Sequence, residues 1–206
     1  ESLFRIIRKL GMFPQPRTKA AYKAKPYEQM QYPGQRVQVD VKVVPLKCLA
    51  NPDERLYQYT AIDEYSRWRF VEAFEEHSTY SSAQFMEHLI KAFPCRIECI
   101  QTDNGTEFTN RFTTHRDKPT LFQKCLEKHG IRHKVIRPYT PRHNGKVERS
   151  HRKDNERFYA THLFYSFEDF AAQLKVYNRR DYNHFPMRPL GWKTPSEVLR
   201  DYLRSV

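Results

Sequence analysis

No run of 18 or more apolar residues occurs in this 206-residue sequence, which excludes a membrane-spanning helix. The N-terminal stretch lacks the charged, apolar and small-residue succession of a signal peptide. Internal repeats and low-complexity tracts are absent as well. Cysteine is sparse: Cys48, Cys95, Cys99 and Cys125, in a chain with a sizeable core, read as reduced intracellular thiols. Acid is short relative to base, with 24 Asp and Glu against 36 Lys and Arg and a formal charge of +12. Between Arg111 and Arg157, fourteen Lys or Arg stand against five Asp or Glu, so this stretch carries most of the surplus. Clustered positive charge favours an anionic partner, and nucleic acid is the commonest one for a soluble protein.

What is present is enough for one ordinary domain with appendages. The 39% hydrophobic and 14% aromatic content can supply a packed core. Ser2 to Gly11 reads as a short helix with Ser2 as N-cap, the tail of a preceding domain. Residues 12–35 hold Pro14, Pro16, Pro26 and Pro33 among Arg17, Lys19, Lys23 and Lys25. That composition predicts an extended basic linker, either a solvated spacer or an arm along a phosphate backbone.

From Arg36 the pattern alternates strictly, with Val37, Val39, Val41 and Val43 on one face and Gln38, Asp40 and Lys42 on the other, which predicts a half-buried strand. Leu56–Ile62 and Arg67–Phe74 flank the polar turn Asp63–Ser66 as a hairpin. Thr79–Phe93 carries Phe85, Leu89 and Phe93 at four-residue spacing and reads as a helix closed by Pro94. Arg96–Thr102 is a strand ending at the turn Asp103-Asn-Gly105. Thr120–His129 reads as a helix stopped by Gly130, and Ile131–Ile136 as a fifth strand. Residues 140–159 begin as a loop and become a long polar helix. Ser166–Asp169 and Thr194–Glu197 have capping-box spacing ahead of two further helices, the last through Leu203. This succession predicts a mixed α/β sheet.

Three acids stand out by position: Asp40 inside a strand, Asp103 at the end of another, and Glu148 amid Arg142, Lys146, Arg149, Arg152 and Lys153. With the first strand central, all three can converge. Like charges repel by about 4 kcal/mol per pair at 4 Å and an effective dielectric of 20. Convergence therefore implies a divalent cation, and oxygen ligands favour Mg²⁺ or Mn²⁺. Cys95-x₃-Cys99 followed by Cys125-x₃-His129-x₃-His133 can be read as zinc ligands. The strand-like setting of Cys95 and Cys99 argues against that.

At Val39-Asp40, Ile62–Arg67, Thr102–Phe108 and Pro138–Arg149, and again at Tyr177-Asn178 and Pro189–Glu197, the sequence resembles the DDE integrases and transposases. These are retroviral integrases and bacterial insertion-sequence transposases with a ribonuclease H-like core. Four such blocks in order make the resemblance specific, and it covers roughly residues 34 to 200. It implies a mixed five-stranded sheet with flanking helices and a C-terminal helical extension. Residues 1–33 would be a helix remnant and linker, and residues 34–206 the catalytic core with its helical tail.

The resemblance further implies that Asp40, Asp103 and Glu148 bind two Mg²⁺ ions, with Mn²⁺ able to substitute. Paired ions can activate a water or 3′-hydroxyl for in-line phosphodiester displacement. The implied partners are double-stranded DNA, as mobile-element ends and target, and further copies of the chain. The implied location is the cytoplasm, on a bacterial nucleoid. The Asp103-to-Glu148 spacing of 45 residues exceeds that usual in retroviral integrases, with the excess at Asn110–Pro119, and favours the insertion-sequence branch.

Glu148, Arg152, Asn155 and Tyr159 share one helical stripe at i, i+4, i+7 and i+11. This predicts Arg152 and Asn155 facing DNA unless Glu148 and Arg152 form an ordinary surface pair. Arg142, His143, Asn144, Lys146 and Arg149 complete the candidate DNA contacts, with His143 and Asn144 alternatively serving as loop and N-cap residues. Asp63 reads as a hairpin terminator, and Glu107 as a fourth carboxylate, a DNA contact or a solvated side chain. Asn104 and Gly105 read as shaping the turn that presents Asp103.

Overall fold

The valine alternation forms β1 (Val37–Val43). It lies at the centre of a five-stranded sheet in a computed structural model that describes residues 2–12, 28–137 and 141–206, with only the backbone of residues 141 and 142. Most of the basic linker and residues 138–140 of the Pro138–Arg149 block lie outside the described residues. The N-terminal helix, α1 (Leu3–Lys9), buries no residue, and Ser2 precedes it without a side-chain capping bond.

β2 (Tyr57–Asp63) and β3 (Arg69–Phe74) pair antiparallel as the predicted hairpin, and β2 pairs antiparallel with β1. Helix α2 (Thr79–Ala92) begins where Ser78 accepts a bond from the Ser81 amide. It leads to β4 (Cys99–Thr102), which pairs parallel with β1. Helix α3 (Leu121–Lys128) opens on a capping box formed by Thr120 and Gln123, and β5 (Arg132–Val135) pairs parallel with β4. The order is β3-β2-β1-β4-β5, the mixed sheet that the pattern predicts. β4 is shorter than expected; just ahead of it the Glu98 amide donates to the Gly34 carbonyl at 2.9 Å. Gly34 has φ +85°, and a Cβ there would strike the Arg96 carbonyl, so this junction requires glycine.

The C-terminal third supplies α4 (Gly145–Arg157), α5 (Phe167–Tyr177) and α6 (Pro195–Ser205). Ser166 caps α5, and Thr194 with Glu197 closes a capping box on α6. A first apolar core gathers Val37, Val39, Phe85, Leu89, Ile100, Phe122 and Leu126. A second gathers Val71, Phe158, Phe164, Phe170 and Leu174. The first half of β1, Val37–Val39, is buried on both sides and not half-buried as predicted: Gln38, on its polar face, is 1% exposed. The alternation correctly reports which residues share a face. It cannot report that a polar helix covers the polar face.

No described helix is long and apolar enough to cross a membrane.

Candidate active site

β1 and β4 run parallel with Gln38 opposite Gln101. Advancing both strands by two residues sets Asp40 level with Asp103, which follows the last residue of β4. Asp103 is held in an Asx turn, its Oδ1 accepting from the Gly105 amide at 3.0 Å. A Cβ at Gly105 would meet the Glu107 carboxylate, so any larger residue here would displace Glu107. Burial first, and then the charges of Asp40 and Glu107, raise the Asp103 carboxyl above its ordinary range, although the Gly105 bond pulls it down. Burial, then Asp40 and Asp103, likewise raise Glu148 while His151 opposes. The three carboxylates thus share one electrostatic neighbourhood. They do not form a closed ligand cluster among the described residues; the set whose ligand atoms all lie within 4.8 Å is Glu87, Cys125 and His129.

Two buried amides hold Glu148's helix against the sheet. Gln38 Oε1 accepts from the Lys146 and Val147 amides at 3.0 and 3.2 Å, satisfying donors that a helix N-terminus leaves open. The Nε2 groups of Gln38 and Gln101 donate to the His143 carbonyl at 3.1 and 2.7 Å. The start of α4 is therefore bonded to the same two strands that carry the aspartates. Asn144, 1% exposed, turns its Nδ2 to the Val39 carbonyl at 3.2 Å and makes no side-chain capping bond. It occupies the expected N-cap position of α4, but its side chain serves as an internal strut, and that burial corrects the DNA-contact expectation.

Lys146 also points inward. Its Nζ lies 2.6 Å from Glu64 Oε2, and Glu64 in turn pairs with Arg36 Nε at 2.6 Å. Burial pulls the Lys146 ammonium down to about 8. Both features give Lys146 a structural tie in place of the open phosphate contact predicted for it.

Tyr159 leaves the predicted stripe. It follows the end of α4 and is buried in the second apolar core. Glu148, Arg149, Arg152 and Asn155 are exposed, as is His143; the Arg142 side chain lies outside the described residues. The alternative of a Glu148–Arg152 surface pair is not what forms. Arg152, whose side chain is 81% exposed, bonds Glu156 at 3.2 Å. Gly145, Glu148, Arg149, Arg152, Lys153 and Glu156 line an open groove of about 650 Å³. Burial, then the Arg157 and Arg149 charges, pull Lys153 down, the mark of crowded cations.

Two further groups adjoin the aspartates. His151, on α4, bridges Asp40 Oδ2 at 3.4 Å and Thr60 Oγ1 at 3.0 Å. Its position three residues after Glu148 puts both on one side of the helix, a signal available in the sequence. Glu107, only 6% exposed, pairs with His77 Nε2 at 2.9 Å, which overturns its reading as a solvated side chain. Asp63, as predicted, ends a strand. Its Oδ2 accepts from the Ser66 amide and hydroxyl at 2.7 and 2.6 Å.

The donor set of Asp40, Asp103 and Glu148 is oxygen alone and crowded with like charge, which fits a hard dication such as Mg²⁺.

Comparison with known proteins identifies the family and the fold. A family model described as Integrase core domain matches residues 31–141, more than half the chain, and a second of the same description matches residues 129–195. The candidate integrase of ORF3 in Spiroplasma virus SpV1-C74 is 30% identical over 177 residues, covering 79% of this chain and 47% of that protein. The retrovirus-related Pol polyprotein of transposon TNT 1-94 from Nicotiana tabacum is 28% identical over 148 residues, 69% of this chain and 10% of the polyprotein. The chain thus spans about half of the first relative and a small part of the second. Among solved structures, the magnesium complex of the HTLV-2 integrase catalytic core domain superposes with a TM-score of 0.59 at 15% identity, covering 81% of this chain and 97% of that one. The simian T-cell lymphotropic virus intasome gives 0.62 at 16% identity, covering 88% of this chain and 60% of that one. At such identities the superpositions establish the fold.

Proposed function

Because the chain belongs to the integrase core domain family, we propose that residues 34–206 are the catalytic core, with a helical tail, of a DDE transposase or integrase that cuts DNA and joins 3′-hydroxyl ends to a target. The reading rests on one observation above all: the β1–β4 register runs Asp40 level with Asp103, and Gln38 and Gln101 tie the helix of Glu148 to those same strands. Carboxylates from three separate segments, coupled electrically, are what a phosphoryl-transfer site needs.

Asp40, Asp103 and Glu148 would hold two Mg²⁺ ions, or Mn²⁺ in their place. When bound, such ions supply Lewis-acid activation of the attacking and leaving oxygens. His151 orients Asp40. Arg149 and Arg152, exposed along the groove beside Glu148, together with the exposed Asn155 and His143, hold the phosphate backbone of the reacting strand, and Arg142 is a further candidate for that contact by its charge. The partners in this reading are double-stranded DNA and other copies of the chain on it, in the nucleoid of a bacterium, with the longer spacing at Asn110–Pro119 favouring the insertion-sequence branch.

A joining assay with Mg²⁺, a short duplex bearing a free 3′-hydroxyl end and a supercoiled target should yield strand-transfer products. Hydrolysis without joining would assign the chain to the purely nucleolytic relatives. DNA binding with neither reaction would make it a silent derivative.

A further inference from the structure

Outside the carboxylate site, one cluster brings soft and hard metal donors together. Glu87 lies on α2, Cys125 on α3, and His129 is the residue that ends α3. Glu87 Oε2 is 3.0 Å from His129 Nε2, and Glu87 Oε1 is 3.8 Å from Cys125 Sγ. All three ligand atoms lie within 4.8 Å of one another, a tightness unique to this set among the described residues. Cys125 and His129 are four residues apart, so both project from one side of α3.

The geometry points to a zinc-class binding site formed by Glu87, Cys125 and His129, which staples α2 to α3 and leaves a fourth position to solvent. Ion–ligand distances of about 2.0 to 2.3 Å put the edges of a tetrahedron at roughly 3.3 to 3.8 Å. The Glu87–His129 and Glu87–Cys125 separations, made through different carboxylate oxygens, lie just below and at the top of that range, and all three ligand atoms lie within 4.8 Å, so closure on an ion needs side-chain shifts and no movement of the helices. Thiolate, imidazole and carboxylate together select Zn²⁺, or Co²⁺ as its spectroscopic substitute, over Mg²⁺. The site is therefore chemically distinct from the all-oxygen set at Asp40.

Two of the zinc ligands conceivable from sequence are excluded by where they sit. Cys99 lies inside β4. His133 donates or accepts at Thr102 Oγ1, 2.9 Å away. Glu87, from a different helix, takes their place. Two costs oppose binding: burial, then Glu87, hold the Cys125 thiol proton up to about 11, and the Lys128 ammonium sits 2.8 Å from Glu87 Oε1. Lys128 is largely exposed and can swing into solvent. The ordinary alternative is that Glu87 serves only as the acceptor for Lys128 and His129.

The test uses the 206-residue chain carrying Asp40→Asn and Asp103→Asn, to silence the carboxylate site, titrated with Co²⁺ alone. The expected result is a near-ultraviolet thiolate-to-cobalt charge-transfer band saturating at one ion per chain. The band should vanish in Cys125→Ser. It should need at least about a hundredfold more Co²⁺ in His129→Gln, since loss of a ligand exceeds the 10- to 100-fold effect of outer-shell changes. Lys128→Ala should tighten binding. Zn²⁺ should raise the unfolding temperature of the parent and leave that of His129→Gln unchanged. No thiolate band at excess Co²⁺, or a band that survives Cys125→Ser, would overturn the site and leave the ion-pair reading in its place.

Discussion

Asp40→Asn, Asp103→Asn and Glu148→Gln should each abolish strand transfer while DNA binding persists. The amides keep the shape of the side chains and remove the charge that a divalent ion requires. Losing about 4 kcal/mol of transition-state charge stabilisation corresponds to roughly a thousandfold in rate. The fold should tolerate all three changes. Burial and mutual repulsion raise the Asp103 and Glu148 carboxyls, so removing a charge relieves strain in the free protein. Binding should stay intact in the variants and should weaken with salt as steeply as in the parent, because it comes from the cations along α4 and counterions leave as phosphates are neutralised. Joining activity near the parent level in any one of the three would remove that residue from the site.

The second large effect lies behind the site. Arg69 and Asp154 are both 0% exposed, with Nη1 and Oδ1 2.7 Å apart. Asp154 also accepts from Gln58 at 2.8 Å. Arg69 Nε donates to Asn178 at 2.8 Å, and its guanidinium lies 3.7 Å from the Tyr182 ring centroid. Asn178 and Asn183 donate to the Arg69 carbonyl, and the Arg69 amide donates to Asn183. One residue of the edge strand thus binds α4 and the segment after α5 together. Covering an edge in this way also shields it from pairing with other chains.

Arg69→Met leaves a buried carboxylate without its cation and should cost about 3 to 5 kcal/mol. For a chain of this size that corresponds to a fall of roughly 6 to 20 °C in unfolding temperature. Asp154→Leu should cost a similar amount, and the double variant should recover more than half, since two well-packed apolar groups leave no unpaired charge. Calorimetry of the three variants checks this. Single variants within about 1 kcal/mol of the parent would show the pair to be incidental.

Neither Arg69 nor Asp154 announces itself in the sequence, and the reason is physical. The buried side of α4 is Val147, Ser150, His151 and Asp154, so the helix packs through hydrogen bonds and ions where an apolar stripe would normally show the period. The same polarity hid Gln38 and Gln101, which look like solvent-facing residues of a half-buried strand until a polar helix covers them. The strands themselves were legible, because valine alternation and the hairpin turn are local signals. The helix starts at Thr79, Thr120, Ser166 and Thr194 were legible for the same reason.

Asp40, Asp103 and Glu148 could be singled out because each stands where a bland acid is unexpected. The register that sets two of them level emerges only from the pairing of β1 with β4. Lys146 and Asn144 show the opposite limit. Charge and hydrogen-bonding capacity in a basic stretch do not reveal which side chains turn inward to Glu64 and the Val39 carbonyl.

The most direct test is diffraction from crystals soaked in Mn²⁺, with data collected for its anomalous signal. Anomalous density should touch both Asp40 and Asp103, with Glu148 completing the ligands at one of the ions. Saturating Mn²⁺ with no peak against those aspartates, in crystals whose other metal sites fill, would contradict it.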